Sequence, residues 1–405
     1  MKQIQGGVSA PKGFKAAGIH CGIRKNASKE DLALIVSDAD CSAAAVYTQN
    51  KVKGAPIYVT RAHIADGHAR AVICNSGNAN TCNENGVEIA QKTCEILASQ
   101  LNIAADDIIV ASTGVIGAPL CIEPFEAGIP KLVKELSPDG GQSAARAIMT
   151  TDTAPKQLAL EFEAGGKTSR LGAMGKGSGM INPNMATMLI FVTTDAAISP
   201  EMLQKALSDD VKDTFNQISV DGDTSTNDSV AVLANGMAQN TPITDENCEG
   251  YKAFCEALRQ INTYMCRAIA SDGEGATKLI TCEVKNADSK ETARKIAKSI
   301  ISSSLFKAAI FGSDANWGRA ICAIGYTEGD FSVDNINISL SSEAGDILVC
   351  KASTAVDFDE DKAKEILQKK EICVLIDMHA GECEATAWGC DLTYDYVKIN
   401  GDYRS

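Results

Sequence analysis

The feature that most limits what this chain can fold into is a repeated change of apolar period. Short runs rich in β-branched and aliphatic residues occur at 32–36, 71–74, 108–111, 189–193, 229–233, 279–284, 308–311 and 372–376. Several are bounded by Gly, Asn, Asp or Ser and read as strands. Between them the apolar spacing becomes helical. Val87, Ala90, Cys94, Leu97 and Leu101 form one stripe, and Tyr251, Phe254, Leu258, Ile261 and Met265 another. Ser199-Pro200-Glu201 ahead of 202–215 reads as an N-cap with proline at the first helical position. This alternation predicts an α/β or α+β protein around a large mixed sheet. A chain of 405 residues buries about three quarters of its unfolded surface and needs neither disulfide nor metal to fold. No internal repeat is present. A soft boundary after Lys278 suggests a larger domain at 1–278 and a smaller one at 279–405.

Charge and cysteine usage remove several function classes. There are 52 acidic against 38 basic side chains, a net charge of −14. That surface repels nucleic acid and anionic membranes, which attract basic proteins. The apolar run at 185–192 is far short of a membrane span and is broken by Thr187. Fifteen cysteines are present without a C-x-x-C pair, so zinc ribbons and thioredoxin-like sites lack their signature. The opening MKQIQGGVSAPKG has no apolar signal-peptide core. The expectation is free thiols in a reducing cytoplasm, with no metal and no cofactor.

Three motifs fail on spacing. The segment GAMGKGSG at 172–179 places Arg170 where a phosphate loop needs its first glycine, and Gly177 where it needs a hydroxyl. Asp221-Gly-Asp223 opens like a calcium loop, but Thr226 and Val232 stand where Gly and Glu are required. It reads instead as a tight polar turn. His20, His63, His68 and His379 lie in no metalloprotease or hydrolase pattern, so histidine is not the expected base.

The chemistry concentrates in KGSGMINPNMATML, residues 176–189. Gly175, Gly177 and Gly179 suggest a tightly turning approach, Asn182-Pro183-Asn184 a turn, and Thr187 a residue at the mouth of a strand. A threonine becomes a nucleophile without histidine when it is a chain N-terminus and its own α-amine is the base. At pH 7.5 roughly a third of such amines are unprotonated, against about 0.1% of ordinary lysines. The amine would arise by cutting the Ala186–Thr187 bond, with Thr187 attacking the preceding carbonyl.

This segment resembles the self-cleavage site of the ornithine acetyltransferases, also called glutamate N-acetyltransferases, of arginine biosynthesis. Further blocks match in order: APKGFKAAGIHCGIRK (10–25), CNSGNANTCNENG (74–86), ASTGVIG (111–117), AIMTTDTAPK (147–156), SVDGDTSTND (219–228), ASDGEGATKLI (270–280), GSDANWGRA (312–320) and NGDYRS (400–405). The resemblance implies an α/β (α+β) sandwich of the self-cleaving aminopeptidase type with mixed sheets, plus a smaller C-terminal α/β domain. It implies cleavage into an α chain of 1–186 and a β chain of 187–405, assembled as α2β2. Thr187 would be the nucleophile, with Thr113 and Gly114 as its oxyanion hole. Substrate contacts would fall on Thr151 or Thr153, Lys176, Glu274, Asn400 and Ser405. Ser405 departs from the family's usual threonine; it keeps the hydroxyl and loses a methyl.

The implied reaction is ping-pong: Thr187 takes acetyl from N-acetylornithine, and glutamate then removes it as N-acetylglutamate. Some members also accept acetyl-CoA, and on sequence alone that second donor stays open. Two rivals are a self-processing N-terminal-threonine aminopeptidase or amidohydrolase, in which water resolves the acyl-enzyme, and a non-catalytic module carrying the same fold. Release of acetate without glutamate would mark the first, and an uncut chain the second.

Overall fold

The computed structural model describes residues 1–182 and 188–402. The chain forms two compact units. The first comprises 1–177, 184–211 and 224–265; the second comprises 178–183, 212–223 and 266–405. The short segments 178–183 and 212–223 thus belong with the C-terminal part, which a single cut after Lys278 does not represent.

The first unit is built on a nine-stranded mixed sheet. Its strands are β1 (Lys2–Ile4), β2 (Phe14–Ile19), β3 (Leu32–Tyr47), β4 (His68–Asn75), β5 (Ile108–Ser112), β6 (Lys156–Ala164), β7 (Lys167–Lys176) and β8 (Leu189–Thr194). β9 (Ile218–Ser219) belongs to the other sheet, and β10 (Ser229–Ala234) completes the first. The order is β1-β6-β7-β8-β10-β3-β4-β5, with β2 also on β3. The pairs β8–β10 and β4–β5 are parallel. Each needs a crossover, and helices Pro200–Asp210 and Gly86–Leu101 lie in those connections.

β3 is the organising strand. It is 16 residues long, yet its register against β4 jumps between Val36 and Cys41. The stretch Ser37-Asp38-Ala39-Asp40 leaves the pairing with β4; Ser37 still pairs with Phe14 of β2, and Asp38 is held from outside the ladder. The Asp38 amide donates to Gly13 O at 2.8 Å, and Arg70 donates to Asp38 O at 3.2 Å. A bulge of this kind bends a strand. The arm at 32–36 pairs with β2 and β4, and the arm at 42–47 pairs with β10. One apolar cluster joins Ala33 and Ile35 of the first arm to Ala43 and Ala45 of the second, with Cys74, Ala111, Phe191 and Leu233. The sheet is therefore folded on itself into two facing layers. Alternation does the rest. Ile109 and Ala111 enter that inner core. Ile108 and Val110 point outward to Leu97, Phe125 and Ile129 on helices Gly86–Leu101 and Glu123–Lys134.

The second unit carries a seven-stranded sheet of β9 with β11 (Leu279–Ala287), β12 (Asn337–Ser342), β13 (Gly345–Lys351), β14 (Thr354–Ala355), β15 (Glu371–Asp377) and β16 (Cys383–Cys390). Helix Lys290–Ser302 supplies Ile296, Ile300 and Ile301 to its core, with Ile280, Val374 and Ala387 from the strands.

Three expectations change. The run 308–311 is the end of helix Ser304–Phe311, capped by the Ser303 hydroxyl, which accepts from the Phe306 amide. Four apolar residues in a row do not distinguish strand from helix. The helix after Ser199 stops at Asp210 instead of 215, although the Ser199 cap and the proline at N1 are present. Gly175 lies inside β7, not in a turn. A Cβ there would sit 2.4 Å from Ile190 Cδ1, and one on Gly172 would sit 2.0 Å from Gly7 O. These glycines permit close packing of β7.

Phe191 is fully buried between the two layers. Phe191→Ala is expected to cost about 3–5 kcal/mol, read as a lower urea midpoint.

Candidate active site

In the first unit, the folded sheet brings the C-terminal ends of β4 and β5 to the place where β8 and β10 begin. β5 ends at Ser112, and Thr113 and Gly114 turn immediately after it. The Thr113 amide donates to Asn75 O at 2.9 Å, and the Ala79 amide to Val115 O at 2.9 Å. Gly114 has φ +131°, and a Cβ there would lie 2.6–2.8 Å from the backbone of Gly77 and Asn78. Only glycine satisfies both the angle and the contact. The turn is thus clamped against the 75–79 loop. That loop is held in turn by Arg24, whose guanidinium donates to the carbonyls of Ser76 and Met149.

Lys176 ends β7 opposite Leu189, the first residue of β8, and Leu189 is paired with Ser229 of β10. Its side chain is buried. The other buried lysines spend their ammonium groups on protein oxygens. Lys156 donates to Asp152 at 2.7 Å, Lys278 to Ile310 O at 2.6 Å, and Lys307 to Cys390 O. Among the described residues, the Lys176 ammonium makes no hydrogen bond; its charge is compensated through space by the Asp152 carboxylate. A lysine so placed can accept a ligand carboxylate without first giving up a bond.

Asp152 and Asp228, whose carboxyls both feel the Lys176 charge, are driven in opposite directions. Asp152 is buried, which raises a carboxyl pKa, but the charges of Lys176 and Lys156 and the Gly177 amide outweigh burial and hold it well below its usual range. It accepts from Lys156 and the Gly177 amide at 2.7 Å each and from the Thr150 amide at 3.0 Å. Asp228 is also buried, and here burial wins: its pKa is well above the usual value, with only Ser225 and the charge of Lys176 opposing. Among the described residues its Oδ2 has no hydrogen-bond partner.

Asp152 also joins two of the sequence-derived blocks, tying the turn at 150–153 to Lys176-Gly177. Thr151 is half-buried there and Thr153 is exposed.

In the second unit, Glu274 and Asn400 come together. Asn400 Nδ2 donates to Glu274 Oε2 at 2.7 Å, and the Glu274 amide donates to Ser178 O at 2.9 Å. A Cβ on Gly179 would stand 2.3–2.5 Å from the Glu274 carboxylate, so that glycine makes room for the acid. Asp221 accepts from the amides of Met180 and Ile181 at 2.6 and 2.9 Å, and from the amide of Asp223 at 3.2 Å, the polar turn read from the sequence. Tyr396 lies beside Asp221 and Glu274, and burial and both charges raise its pKa. Ala186, Thr187 and Ser405 lie outside the described residues. Among the described residues no cluster of His, Cys, Asp and Glu is arranged to hold a metal, and no helix is long and apolar enough to cross a membrane.

The ArgJ family model matches residues 15–405. This chain belongs to the ArgJ family. It is 51% identical, over the full length of both chains, to the arginine biosynthesis bifunctional protein ArgJ of Symbiobacterium thermophilum. It is 49% identical, again over both full lengths, to that of Caldanaerobacter subterraneus subsp. tengcongensis. The crystal structure of the arginine biosynthesis bifunctional protein of Bacillus halodurans is 46% identical with a TM-score of 0.51, covering 54% of this chain and 100% of its own.

Family resemblance directed attention to Thr113, Gly114, Lys176, Glu274 and Asn400. Asp152, Asp221, Asn227, Asp228 and Tyr396 escaped it. Part of their signal was present: Asp152 stands between Thr151 and Thr153, and Asp221, Asn227 and Asp228 crowd the polar block 219–228, where buried polar groups must find partners.

Asp152→Asn leaves Lys156 and Lys176 without their shared counter-charge and is expected to cost about 3–5 kcal/mol. Because the folded-state pKa of Asp152 is depressed, its contribution is complete above the ordinary carboxylate value of about 4 and fades as pH falls through and below it. Denaturant titrations from pH 7 to pH 3 should therefore show a steeper acid loss in the native protein than in Asp152→Asn.

Proposed function

We propose that this chain is a glutamate N-acetyltransferase of arginine biosynthesis, moving acetyl from N2-acetyl-L-ornithine to L-glutamate through an acetyl-threonine at Thr187. The observation that carries this reading is full-length identity near one half with proteins named for arginine biosynthesis. The clamped Thr113–Gly114 turn, at the end of the layered sheet where β8 begins, supports it.

In this reading the chain first cuts itself. The Thr187 hydroxyl adds to the Ala186 carbonyl, the peptide becomes an ester, and water hydrolyses it. The products are an α chain of 1–186 and a β chain led by Thr187. Residues 187–405 make up 54% of the chain, the same share that the Bacillus halodurans chain spans along its whole length. The freed α-amine then takes the Thr187 proton as the hydroxyl attacks the acetyl carbonyl of acetylornithine. Thr113 Oγ1 and the Gly114 amide donate to the oxyanion. Collapse releases ornithine, whose leaving nitrogen takes the proton back. Glutamate attacks the ester through its amine by the same path in reverse.

Lys176 receives the substrate α-carboxylate. Glu274, oriented by Asn400, receives the side-chain ammonium of ornithine. The hydroxyls of Thr151 or Thr153 and of Ser405 complete the contacts. One amide is exchanged for another, so the transfer needs no nucleotide. We infer acetyl-CoA as a second acetyl donor, which would give the chain two activities, as the relatives' name, bifunctional, implies of them. We also infer an α2β2 assembly in the cytoplasm.

The denatured mass of fresh protein tests the first step. Fragments of 186 and 219 residues, the larger beginning with threonine, are expected. Thr187→Ala should remain a single 42.6 kDa species without transferase activity. A native chain that never splits would remove the base and with it the mechanism. In cleaved protein, Thr113→Ala should lower kcat by about 10²–10³, assayed as N-acetylglutamate formed from acetylornithine and glutamate. Lys176→Met should act chiefly on KM for both amino acids.

A further inference from the structure

Asn227 does not appear among the residues read from the sequence, yet its side chain sits at the junction on which the proposed oxyanion hole depends. It is 6% exposed. Its Nδ2 donates to Ala79 O at 2.5 Å and to Ser112 O at 2.9 Å. Its Oδ1 accepts from Thr81 Oγ1 and Thr226 Oγ1, each at 2.6 Å. Both donors and both acceptor positions are thus used. Two carbonyls on one end and two hydroxyls on the other leave one orientation of the amide that works. Space for it is reserved: a Cβ on Gly54 would lie 2.5 Å from Nδ2.

The two carbonyls it holds flank the catalytic turn. Ser112 directly precedes Thr113. Ala79 is bonded through its amide to Val115, directly after Gly114. The backbone of Asn227 leads within two residues to Ser229, whose amide donates to Met188 O at 2.8 Å and which pairs with Leu189. One carboxamide therefore spans the two layers of the sheet, from the Thr113–Gly114 turn to the starts of β8 and β10.

We propose that Asn227 is a positioning residue for acetyl transfer, setting the Thr113–Gly114 turn at a fixed distance from the strand that Thr187 leads. It touches no substrate and acts through the turn. The proposal rests on the reading of Thr113 and Gly114 as the oxyanion hole.

A double-mutant cycle separates this role from a purely structural one. Asn227→Asp keeps the shape and the bonds from Thr81 and Thr226, but turns an oxygen toward two carbonyls. Rates are referred to the cleaved fraction, and cleavage rates are followed in the same way. Asn227→Asp is expected to lower kcat by about 10–100-fold with KM within about twofold, short of the loss of an oxyanion donor itself. On a Thr113→Ala background the same change should cost less than about threefold, because the group it positions is gone. Thr81→Val, which removes one of the bonds orienting the amide and spares the donors, should move kcat in the same direction by less. It serves where Asn227→Asp fails to fold.

Native kcat in both variants, a loss carried by KM, or the full cost of Asn227→Asp persisting on Thr113→Ala would overturn the positioning role while leaving the oxyanion reading intact. An Asn227→Asp chain that stays uncut while Thr113→Ala cuts normally would overturn it too. Full kcat in Thr113→Ala alone would instead sink the oxyanion reading, and this inference with it.

Discussion

The first unit depends on the fold in β3. Without the bend at 37–40 its 16 residues would span about 50 Å, and its two arms would share no core. Bending lets both arms contribute to one apolar cluster, and it carries a geometric consequence. Strand ends that are far apart along the sheet order become neighbours in space. The ends of β4 and β5 meet the beginnings of β8 and β10, and the site is assembled from that coincidence. The polar residues of the bend, Ser37, Asp38 and Asp40, are as much a part of the site's origin as the residues that line it.

The same geometry explains what the sequence disclosed. Strands 71–74, 108–111, 189–193 and 229–233 were legible because they are buried on both faces and read as nearly continuous apolar runs, while 279–284 and 372–376 keep a buried apolar face on alternate residues. β6 and β7 were hidden by Glu, Lys, Arg and Gly, and β7 also by a glycine pattern that resembles a phosphate loop. The first arm of β3 was read and its continuation was not, because SDAD looks like the end of a strand. The run at 308–311 is too short for periodicity to decide, and the Ser303 cap ahead of it was the better guide. For the site, the sequence announced residues whose types carry chemistry, such as lysine and glutamate in glycine-rich blocks. It did not announce Asn227 or Asp152, because their roles lie in bonds to backbone atoms distant in the chain, and no local pattern encodes which carbonyl an amide will meet.

Electrostatics sets a second condition on the design. Burying Lys156, Lys176, Asp152 and Asp228 together is expensive unless the charges compensate. Asp152 does most of this: it carries three donated hydrogen bonds and faces two lysines, so it remains an anion. Asp228 has little such support and is held toward its neutral form. The balance leaves Lys176 with a neighbouring charge but, among the described residues, no hydrogen bond. An ammonium fully bonded to protein would have to break those bonds to take up a ligand, as Lys278 would. Leaving it unbonded costs some stability in the empty site and removes that cost from binding.

Stability and geometry are obtained from the same polar groups, which accounts for the number of buried amides and hydroxyls near the turn. Apolar residues there would pack as well but would tolerate small displacements, because dispersion is not directional. Hydrogen bonds to carbonyls at 2.5–2.9 Å fail when a loop moves by a fraction of an ångström, and a buried unsatisfied amide then costs about 1–3 kcal/mol. A saturated network thus penalises every position of the turn except one. An oxyanion hole requires the same property, since its donors act only within a narrow range of distance from the charge they stabilise. The network of Asn75, Thr81, Ser112 and Asn227 converts the stability of the core into the precision of the turn, and Gly114 is the point at which the backbone must comply.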